Sequence, residues 1–391
     1  MVSVIRSIDV LQCHASWRNY NFVKVCDADG NVGWSEFDEG FGSPGVGVIV
    51  RSFAPALIGY PVDRHEHIML RLKSSTRPSQ GGVVSQAIGA IENALLDAQA
   101  RRLGVPCHVL LGGKVRDHVR VYWSHAPTWR IARASHYGKA ITDRDGLVEL
   151  GREVSQRGFT ALKTNLFRQG PNGLEGWVPG FGRPDEPGLV ADRGLLRDLV
   201  DHISALREGA GDAVDILLDL NFNFRAGGFR QVLAALHDLD LYWVEIDCDS
   251  PAELARVRSR SRHRIAGCET LIGGAQFLPY LAAGALDVAV VDGVWNGMWQ
   301  ALKIAALAEA HQINVAPHNF YGHLSTFMNL HWSAVVPNLE IFEVDVDRVP
   351  IDATLFSETP AFENGELLVP DTPGWGCVPD EEVIAANPPH G

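Results

Sequence analysis

The feature that most constrains the fold is a series of short apolar runs that recur about every 25 residues and close on an ionisable side chain. The clearest of them, residues 213–218, ends in Asp219. This spacing is the length of one strand plus one helix, and amphipathic helical patterns separate the runs. Parallel strands of this kind form a barrel whose C-terminal ends converge on one site. The later runs close on Glu245, Glu269, Asp292, His318 and Glu343.

The length of the chain, 391 residues, suits a barrel together with a smaller module. Residues 1–60 alternate like the strands of a meander, and residues 82–102 follow a helical pattern. The alternation of strands and helices begins at Val119 and fades after Glu343 into a segment rich in Pro and Gly. We predict an N-terminal module at 1–117, a barrel at 118–348 and a tail at 349–391 that returns to the first module.

Composition limits the possible partners. With 46% hydrophobic and 21% charged residues the chain is typical of soluble proteins, and no apolar run reaches the roughly 18–20 residues that span a membrane. The start alternates like a strand and lacks the apolar core of a signal peptide, which predicts a cytoplasmic protein. Six cysteines without CxxC spacing indicate reduced thiols. A net charge of -13 without a basic cluster argues against nucleic acid and anionic membranes as partners.

Three of the closing residues, Asp219, Glu245 and Glu269, end successive predicted strands. Each of them alone would be typical of a helix N-cap or a loop. Three carboxylates brought together repel one another unless a cation offsets their charge. Hard divalent ions such as Mg²⁺ prefer oxygen ligands and keep room for substrate oxygens. The three acids therefore predict a Mg²⁺ site.

Asp292 and His318 end the next two strands. A lone histidine is usually structural, but a carboxylate on the neighbouring strand fixes the tautomer of an imidazole and raises its basicity. We therefore expect His318 to act as a general base. Glu343 closes the last strand, and Glu340 has the opposite parity, so only one of them faces inward. In an apolar mouth Glu343 would be protonated and would donate a hydrogen bond.

The second strand places Lys163 and Asn165 on one side. Lys163 can offer positive charge to a carboxylate, the alternative being a solvated lysine, whereas Asn165 cannot take a proton. Long loops follow the first and second strands, at 124–144 and 167–187. Such loops at a barrel mouth are typical of lids or substrate walls, with surface or oligomer-contact insertions as the alternative. The substrate-contact candidates in the first loop are His125, Trp129 and Arg130.

Several short motifs carry a family resemblance over nearly the whole chain. In the predicted barrel they are Gly158-Phe with Leu162-Lys-Thr, Asp219-Leu-Asn, Trp243-Val-Glu, Cys268-Glu and Ala316-Pro-His-Asn. Outside it they are Leu110-Leu-Gly-Gly-Lys-Val-Arg and Val369-Pro-Asp-Thr-Pro-Gly-Trp-Gly. Each motif is weak alone, and together they resemble the mandelate racemase subgroup of the enolase superfamily.

The resemblance implies an α/β fold in which an α+β capping domain, formed by the N-terminal segment and the C-terminal tail, covers a (β/α)₇β TIM-like barrel. It implies Mg²⁺ at Asp219, Glu245 and Glu269, a base/acid dyad of His318 and Asp292, and an electrophilic role for Glu343. It also implies that cap loops at 16–20 and 37–44 close the mouth. The specificity candidates there are Trp17, Arg18 and Tyr20, with packing against the meander as the alternative.

This chain departs from the subgroup at three places. Lys163-Thr-Asn165 stands where Lys-x-Lys would supply a second base, and Asn221 stands where related sugar-acid dehydratases carry a histidine. We take both asparagines as substrate-contact candidates. The fourth strand continues as Glu245-Ile-Asp247, which predicts a reshaped loop.

Racemisation needs a base on each face of the substrate, and the face that the second lysine would serve lacks one. We therefore predict a Mg²⁺-dependent lyase, an acid-sugar dehydratase. It would act on a small carboxylate substrate, with His318 and Asp292 as the acid/base pair and Lys163 and Glu343 beside them. One alternative is a racemase or epimerase whose second base is Lys163, His125 or Tyr137. Another is a metal-binding member that lacks catalysis. We also expect a homo-oligomer.

Overall fold

The structure is a computed structural model that describes residues 3–181 and 188–389. Its strands form a three-stranded antiparallel sheet, a two-stranded hairpin and one large sheet. In chain order they are β1 (Ile5–Ala15), β2 (Arg18–Asp27), β3 (Val32–Phe37), β4 (His118–Ser124), β5 (Ala161–Thr164), β6 (Phe167–Gly170), β7 (Gly173–Gly176), β8 (Asp215–Asp219), β9 (Trp243–Glu245), β10 (Ile265–Gly267), β11 (Val288–Val291), β12 (Asn314–Pro317), β13 (Phe342–Asp345), β14 (Phe362–Glu363) and β15 (Glu366–Leu368).

The helices differ widely in length, and within the described ranges none is both long enough and apolar enough to cross a bilayer. In chain order they are α1 (Val46–Leu57), α2 (His65–Ser75), α3 (Gly82–Leu103), α4 (Cys107–Leu110), α5 (Thr128–Ala132), α6 (Ala134–Tyr137), α7 (Arg144–Gln156), α8 (Arg193–Ala210), α9 (Ala226–Ala235), α10 (Pro251–Arg258), α11 (Gly274–Ala282), α12 (Gly293–Asn296), α13 (Met298–Ala310), α14 (His323–Val335), α15 (Asp352–Leu355) and α16 (Glu381–Ala386).

The large sheet contains a closed barrel of parallel strands in the order β4, β5, β8, β9, β10, β11, β12 and β13. β13 pairs with β4, and Val315 of β12 bonds to the backbone of 338–340 just before β13, so the eight parallel strands close into a barrel. At least one helix connects each barrel strand to the next, except that β13 leads out to the tail. The predicted (β/α)₇β barrel is confirmed.

The floor of the barrel is a layer of buried apolar side chains that point inward from all eight strands. Because side chains alternate along a strand, the residue two positions later on each strand also points inward, one step nearer the C-terminal mouth. This period of two places the polar groups described below. The apolar layer consists of Tyr122, Ala161, Leu217, Trp243, Ala266, Val288, Val290, Ala316 and Ile341.

The capping module packs the β1–β3 sheet on α3. At Gly33 a Cβ would lie 2.1 Å from the Ala94 carbonyl oxygen, so only glycine permits this close approach of sheet and helix. The tail joins the same module, since the His14 amide donates to the carbonyl of Asn387. A cap built from both ends of the chain was predicted and is confirmed.

Asp97 on α3 connects the parts of the cap. Its buried carboxylate accepts hydrogen bonds from the Trp34 amide (2.8 Å), the Trp375 amide (2.7 Å) and Arg101 Nε (2.9 Å). In Asp97→Asn one oxygen becomes an NH₂ group that faces a donor. We expect the free energy of unfolding to fall by on the order of 2 kcal/mol, because hydrogen bonds to charged groups are the stronger ones. Urea denaturation measures this, with exposed Asp212→Asn as the control; equal midpoints for both variants would contradict it.

Candidate active site

One ring of polar side chains lines the mouth directly above the apolar floor. Seven of the eight strands carry a polar residue two positions after a floor residue, namely Ser124, Lys163, Asp219, Glu245, Asp292, His318 and Glu343. On the remaining strand, β10, this position is Cys268, whose left-handed φ of 87° turns the chain. Glu269 therefore takes the inward place one residue later than the period of two requires.

The acids Asp219, Glu245 and Glu269 form a compact, buried cluster. Each offers one ligand oxygen, and these three oxygens lie within 4.8 Å of one another. Asp219 and Glu245 are register partners on the parallel strands β8 and β9. Glu245 Oε1 is buried and has no hydrogen-bond partner among the described residues. A buried, unpaired oxygen in a set of three carboxylates is the donor arrangement that a hard divalent cation takes.

A fourth acid, Asp247, lies beside this cluster and was not predicted as a site residue. It is buried, and its Oδ2 has no partner in the described part of the chain. Burial, with Asp219 and Glu245 nearby, raises the pKa of Asp247 to about 7. The sequence does contain a signal for Asp247: it lies two residues after Glu245, so its side chain points to the same side of the strand.

Lys163 is a buried counter-ion and not a solvated lysine. Its Nζ lies 3.0 Å from Glu343 Oε1, 3.2 Å from Glu245 Oε2 and 3.5 Å from Asp219 Oδ2, and the residue is only 2% exposed. Burial by itself lowers the pKa of Lys163, but Glu245 and Glu343 raise it well above its usual value. The ammonium thus links the acid cluster to the opposite wall of the barrel.

His318 and Asp292 form the expected pair. His318 Nδ1 lies 2.6 Å from Asp292 Oδ2, which also accepts from Tyr321 Oη at 2.5 Å, while Asp292 Oδ1 accepts from the Trp295 amide at 2.7 Å. His318 Nε2 points to the acid cluster, 3.5 Å from Glu269 Oε2. Burial lowers the pKa of His318, but Glu269 and Asp292 raise it to about 10. The contribution of Tyr321 was not predicted, because its parity and loop position give no sign of it.

The expected protonated state of Glu343 is wrong. Its carboxylate accepts from Ser124 Oγ at 2.5 Å and from the Asn319 amide at 2.7 Å, and Lys163 lies on its other side. Burial alone raises the pKa of Glu343, but Lys163 and His318 lower it to about 2. Glu343 is therefore an anion that accepts hydrogen bonds. Glu340, of opposite parity, pairs with Arg264 away from the mouth.

The cap and the first barrel loop meet above the mouth. Ser16 Oγ lies 2.6 Å from His136 Nδ1, and Trp17 Nε1 donates to Tyr137 Oη at 2.6 Å. Arg18 Nη1 donates to the Phe320 carbonyl at 2.9 Å. A cavity of about 370 Å³ lies on the cap side of this roof, and its lining includes Trp17, Arg18, Asp38, Phe41 and Arg133.

Three predicted substrate contacts have structural partners instead. The guanidinium of Arg130 is buried between Glu153 and Asp347, and its Nη1 lies 2.7 Å from Glu153 Oε2. It therefore cannot reach into the mouth. Trp129 Nε1 donates to Asp345 at 2.9 Å, although the Trp129 ring lies 4.6 Å from that of Trp17 under the roof. Tyr20 is 3% exposed and packs edge-on against Phe356, which matches the alternative of packing within the cap.

The other predicted contacts border the mouth. Asn165 Oδ1 accepts from Thr128 Oγ1 at 2.6 Å, so the second strand is bonded to the first loop. Asn221 has a left-handed φ of 45°, and its amide donates to Asp219 Oδ1 at 2.8 Å, which holds that carboxylate. His125 is half-buried against the ring of Trp129.

The second long loop lies farther out. Its first part forms the β6–β7 hairpin, and Trp177 stacks on Phe224 with ring centroids 4.9 Å apart. Phe181 packs on Phe222, at 4.5 Å. The last part of the predicted loop, residues 182–187, lies outside the described residues.

A capped parallel barrel with a buried acid cluster, a lysine and a His–Asp pair at its mouth is the arrangement of a barrel enzyme with a candidate metal site. Two family models match the chain. The Enolase C-terminal domain-like model matches residues 146–383, and the N-terminal domain model of mandelate racemase / muconate lactonizing enzyme matches residues 10–112. The chain therefore belongs to the mandelate racemase / muconate lactonizing enzyme subgroup of the enolase superfamily.

Curated relatives include acid-sugar dehydratases. The chain is 31% identical over 379 residues to the D-gluconate dehydratase of Thermoproteus tenax, covering 95% of this chain and 70% of that protein. It is 28% identical over 380 residues to the D-xylonate dehydratase of Haloferax volcanii, covering 94% of this chain and 85% of that protein.

One solved structure is much more similar. The protein comes from Burkholderia xenovorans strain LB400 and carries the provisional name L-alanine-DL-glutamate epimerase. It is 53% identical, has a TM-score of 0.98, and the match covers 100% of this chain and 99% of that one. The same protein has been solved bound to magnesium and fumarate.

Proposed function

We propose that the protein is a Mg²⁺-dependent dehydratase of acid sugars. The observation that carries the proposal is the position of His318, whose Nδ1 is bonded to Asp292 while Nε2 points toward the acid cluster. A base held in this way next to a metal site is suited to removing a proton α to a bound carboxylate. The dehydratase names of two curated relatives support the same chemistry.

Asp219, Glu245 and Glu269 would hold the ion. Their chemistry fits Mg²⁺, because all three offer carboxylate oxygen and one buried oxygen of Glu245 has no other partner in the described ranges. When bound, Mg²⁺ supplies positive charge that stabilises the enolised form of the substrate carboxylate. The magnesium bound to the 53% identical relative supports this assignment.

Lys163 reduces the negative charge of the polar ring, which favours the binding of an anionic substrate. Without Lys163, the carboxylates of Asp219, Glu245 and Glu343 would make this ring strongly negative, and the ring would repel a carboxylate substrate. The Lys163 ammonium offsets part of that charge, whereas the cavity above is lined by Arg18 and Arg133 and also by Asp38 and Glu39. The local cation at the site, in a chain of net charge -13, is therefore Lys163.

The proton path uses one histidine. When a cation is bound, Glu269 raises the pKa of His318 less strongly, which favours the neutral imidazole. Neutral His318 then accepts the α-proton at Nε2, and Asp292 stabilises the resulting imidazolium through Nδ1. The Cα–H electron pair enters the carboxylate as an enolate and then forms the Cα=Cβ bond as the β-hydroxyl departs. The imidazolium returns its proton to this hydroxide, so that one water is released and His318 is neutral again. The enol product then tautomerises to a 2-keto-3-deoxy acid.

An epimerase is the second candidate, supported by the provisional name of the 53% identical relative. Epimerisation shares the first step but delivers a proton to the other face of the same carbon, so it needs a second proton-transfer group. The two functions therefore differ in whether water is lost.

A library of aldonic and aldaric acids, incubated with the protein and Mg²⁺ in D₂O, tests the proposal. NMR follows deuterium at Cα, and a carbonyl reagent follows 2-keto acids. A dehydratase gives 2-keto acid that requires Mg²⁺. Deuterium exchange with inversion and without loss of water would identify the epimerase, and the absence of both reactions on every acid would reject the enolisation of acid sugars.

A further inference from the structure

The strand order places two histidines on opposite sides of the mouth. In a closed barrel of eight strands, β13 lies across from β9. A line from Glu343 on β13 to Glu245 on β9 therefore divides the mouth into two halves. His318, which follows β12, lies in one half, and His125, which follows β4, lies in the other. A substrate held along this line has one histidine on each flank.

The contacts of His125 determine which ring nitrogen carries its proton. Ser124 Oγ has a single hydrogen, which it donates to Glu343 Oε1 at 2.5 Å. The same Oγ lies 3.1 Å from His125 Nδ1, so in this contact Nδ1 is the donor and Oγ the acceptor. In the neutral ring Nε2 then carries the lone pair. Among the described residues Nε2 has no hydrogen-bond partner.

The ring of His125 lies among aromatic and charged groups of the mouth and the roof. His125 stacks on Trp129 with centroids 4.6 Å apart and an interplanar angle of 27°. Its electrostatic partners are all mouth residues: Glu343, Lys163, His318 and Arg18. Burial lowers the pKa of His125 to about 3, so the free ring is neutral at physiological pH, and the charge of Glu343 opposes this shift by stabilising the protonated ring.

The other candidates for a second base in this half are occupied. Lys163 Nζ lies within 3.5 Å of three carboxylates. Asn165 has no basic atom, and its Oδ1 accepts from Thr128. Tyr137 Oη already accepts from Trp17 in the roof.

We propose that His125 is a second catalytic residue, which removes the α-proton from acids whose C2 configuration is opposite to that handled by His318. In this step the Cα–H bond breaks, its proton binds to His125 Nε2, and its electron pair enters the substrate carboxylate as an enolate. Solvent exchanges the proton on Nε2, and return of a deuteron to the same face labels the acid. The inference rests on the proposed enolisation at this site and assigns it substrates of both configurations.

The first test needs no substrate. Long-range ¹H–¹⁵N NMR on the Mg²⁺-loaded, ¹⁵N-histidine-labelled protein reports the protonation of each ring, and the spectrum of His125→Asn identifies the His125 signals. We expect a neutral ring with hydrogen on Nδ1 at pH 7. A neutral ring with hydrogen on Nε2, or an imidazolium, would overturn the inference, because neither has a lone pair on Nε2, the atom assigned to accept the proton.

The second test is α-deuterium exchange on an acid that the protein enolises and on its C2 epimer. His125→Asn keeps a donor near the Nδ1 position but removes Nε2, and His125→Gln is the second variant. We expect each to slow exchange of the epimer by about 10²–10⁴-fold, to slow turnover of the first acid much less, and to bind Mg²⁺ as the unmodified protein does. His237→Asn, at an exposed histidine, is the control.

The outcomes separate this inference from the proposed function. The His318→Asn variant should still exchange the α-proton of the epimer but should lose the exchange of the first acid. Unchanged exchange of both acids by the two His125 variants would refute the second residue and leave the dehydratase intact. If the unmodified protein exchanges no acid, enolisation itself fails, and the assignment of His125 as a base fails with it.

Discussion

His318→Asn should lower kcat for 2-keto acid formation by about 10²–10⁴-fold, the range that general acid–base catalysis contributes. The asparagine amide can still donate to Asp292, which in the native protein is bonded to His318 Nδ1 at 2.6 Å. The substitution therefore removes Nε2, the atom that faces the acid cluster, while the support of Asp292 by Tyr321 and Trp295 remains. KM should change much less than kcat, because the lost atom acts in the proton transfer.

The comparison for this variant is His237→Asn, since His237 is exposed and pairs only with its neighbour Asp238 among the described residues. Mg²⁺ binding by His318→Asn should equal that of the unmodified protein. Turnover by His318→Asn at the unmodified rate would remove His318 from the mechanism. A parallel loss of Mg²⁺ binding would show that the substitution had disturbed the acid cluster instead.

Glu245→Gln should abolish Mg²⁺-dependent turnover, with a fall on the order of 10³-fold, because the charge of a bound metal ion contributes several kcal/mol to the transition state. The substitution exchanges an anionic ligand for a neutral amide and also removes one of the three carboxylates around Lys163. Without the ion, the variant should be folded, because the like charges of Asp219 and Glu269 have one repulsive neighbour fewer.

Calorimetric titration with Mg²⁺ and thermal unfolding measure this prediction. At a Mg²⁺ concentration of 100 Kd, the unmodified protein should gain about 2.7 kcal/mol of stability, and Glu245→Gln should gain little. Glu309→Gln, at an exposed site on α13, is the matched control. Equal stabilisation of Glu245→Gln and the control by Mg²⁺ would place the ion elsewhere.

Much of the barrel and its polar ring could be predicted from the sequence. The apolar runs are short and end in polar residues, and in a parallel barrel this pattern fixes both the strand and the end where the polar side chain lies. The period of two places Asp219, Glu245, Asp292, His318 and Glu343 correctly in the mouth, because it depends only on local backbone geometry.

The predictions that failed depend on partners from distant parts of the chain. Arg130 is a plausible substrate ligand in sequence, but Glu153 on α7 and Asp347 after β13 occupy its guanidinium. Glu343 is an anion because Lys163, two strand positions away along the ring, lies 3.0 Å from it. Neither pairing can be inferred from spacing, since each arises only when the barrel closes.

The sequence alone therefore determined the barrel, the inward positions of Asp219 and Glu245 and the His318–Asp292 pair, since strand parity and spacing are local properties. The tertiary structure decided the charge states of the site residues and the hydrogen-bond partners of their atoms. It showed that Cys268 turns Glu269 inward, that Asp247 joins the acids, and that Ser124 Oγ, which donates to Glu343, lies against His125 Nδ1. Hydrogen-bond partners and electrostatic fields are set by distances in space, which residue order does not encode.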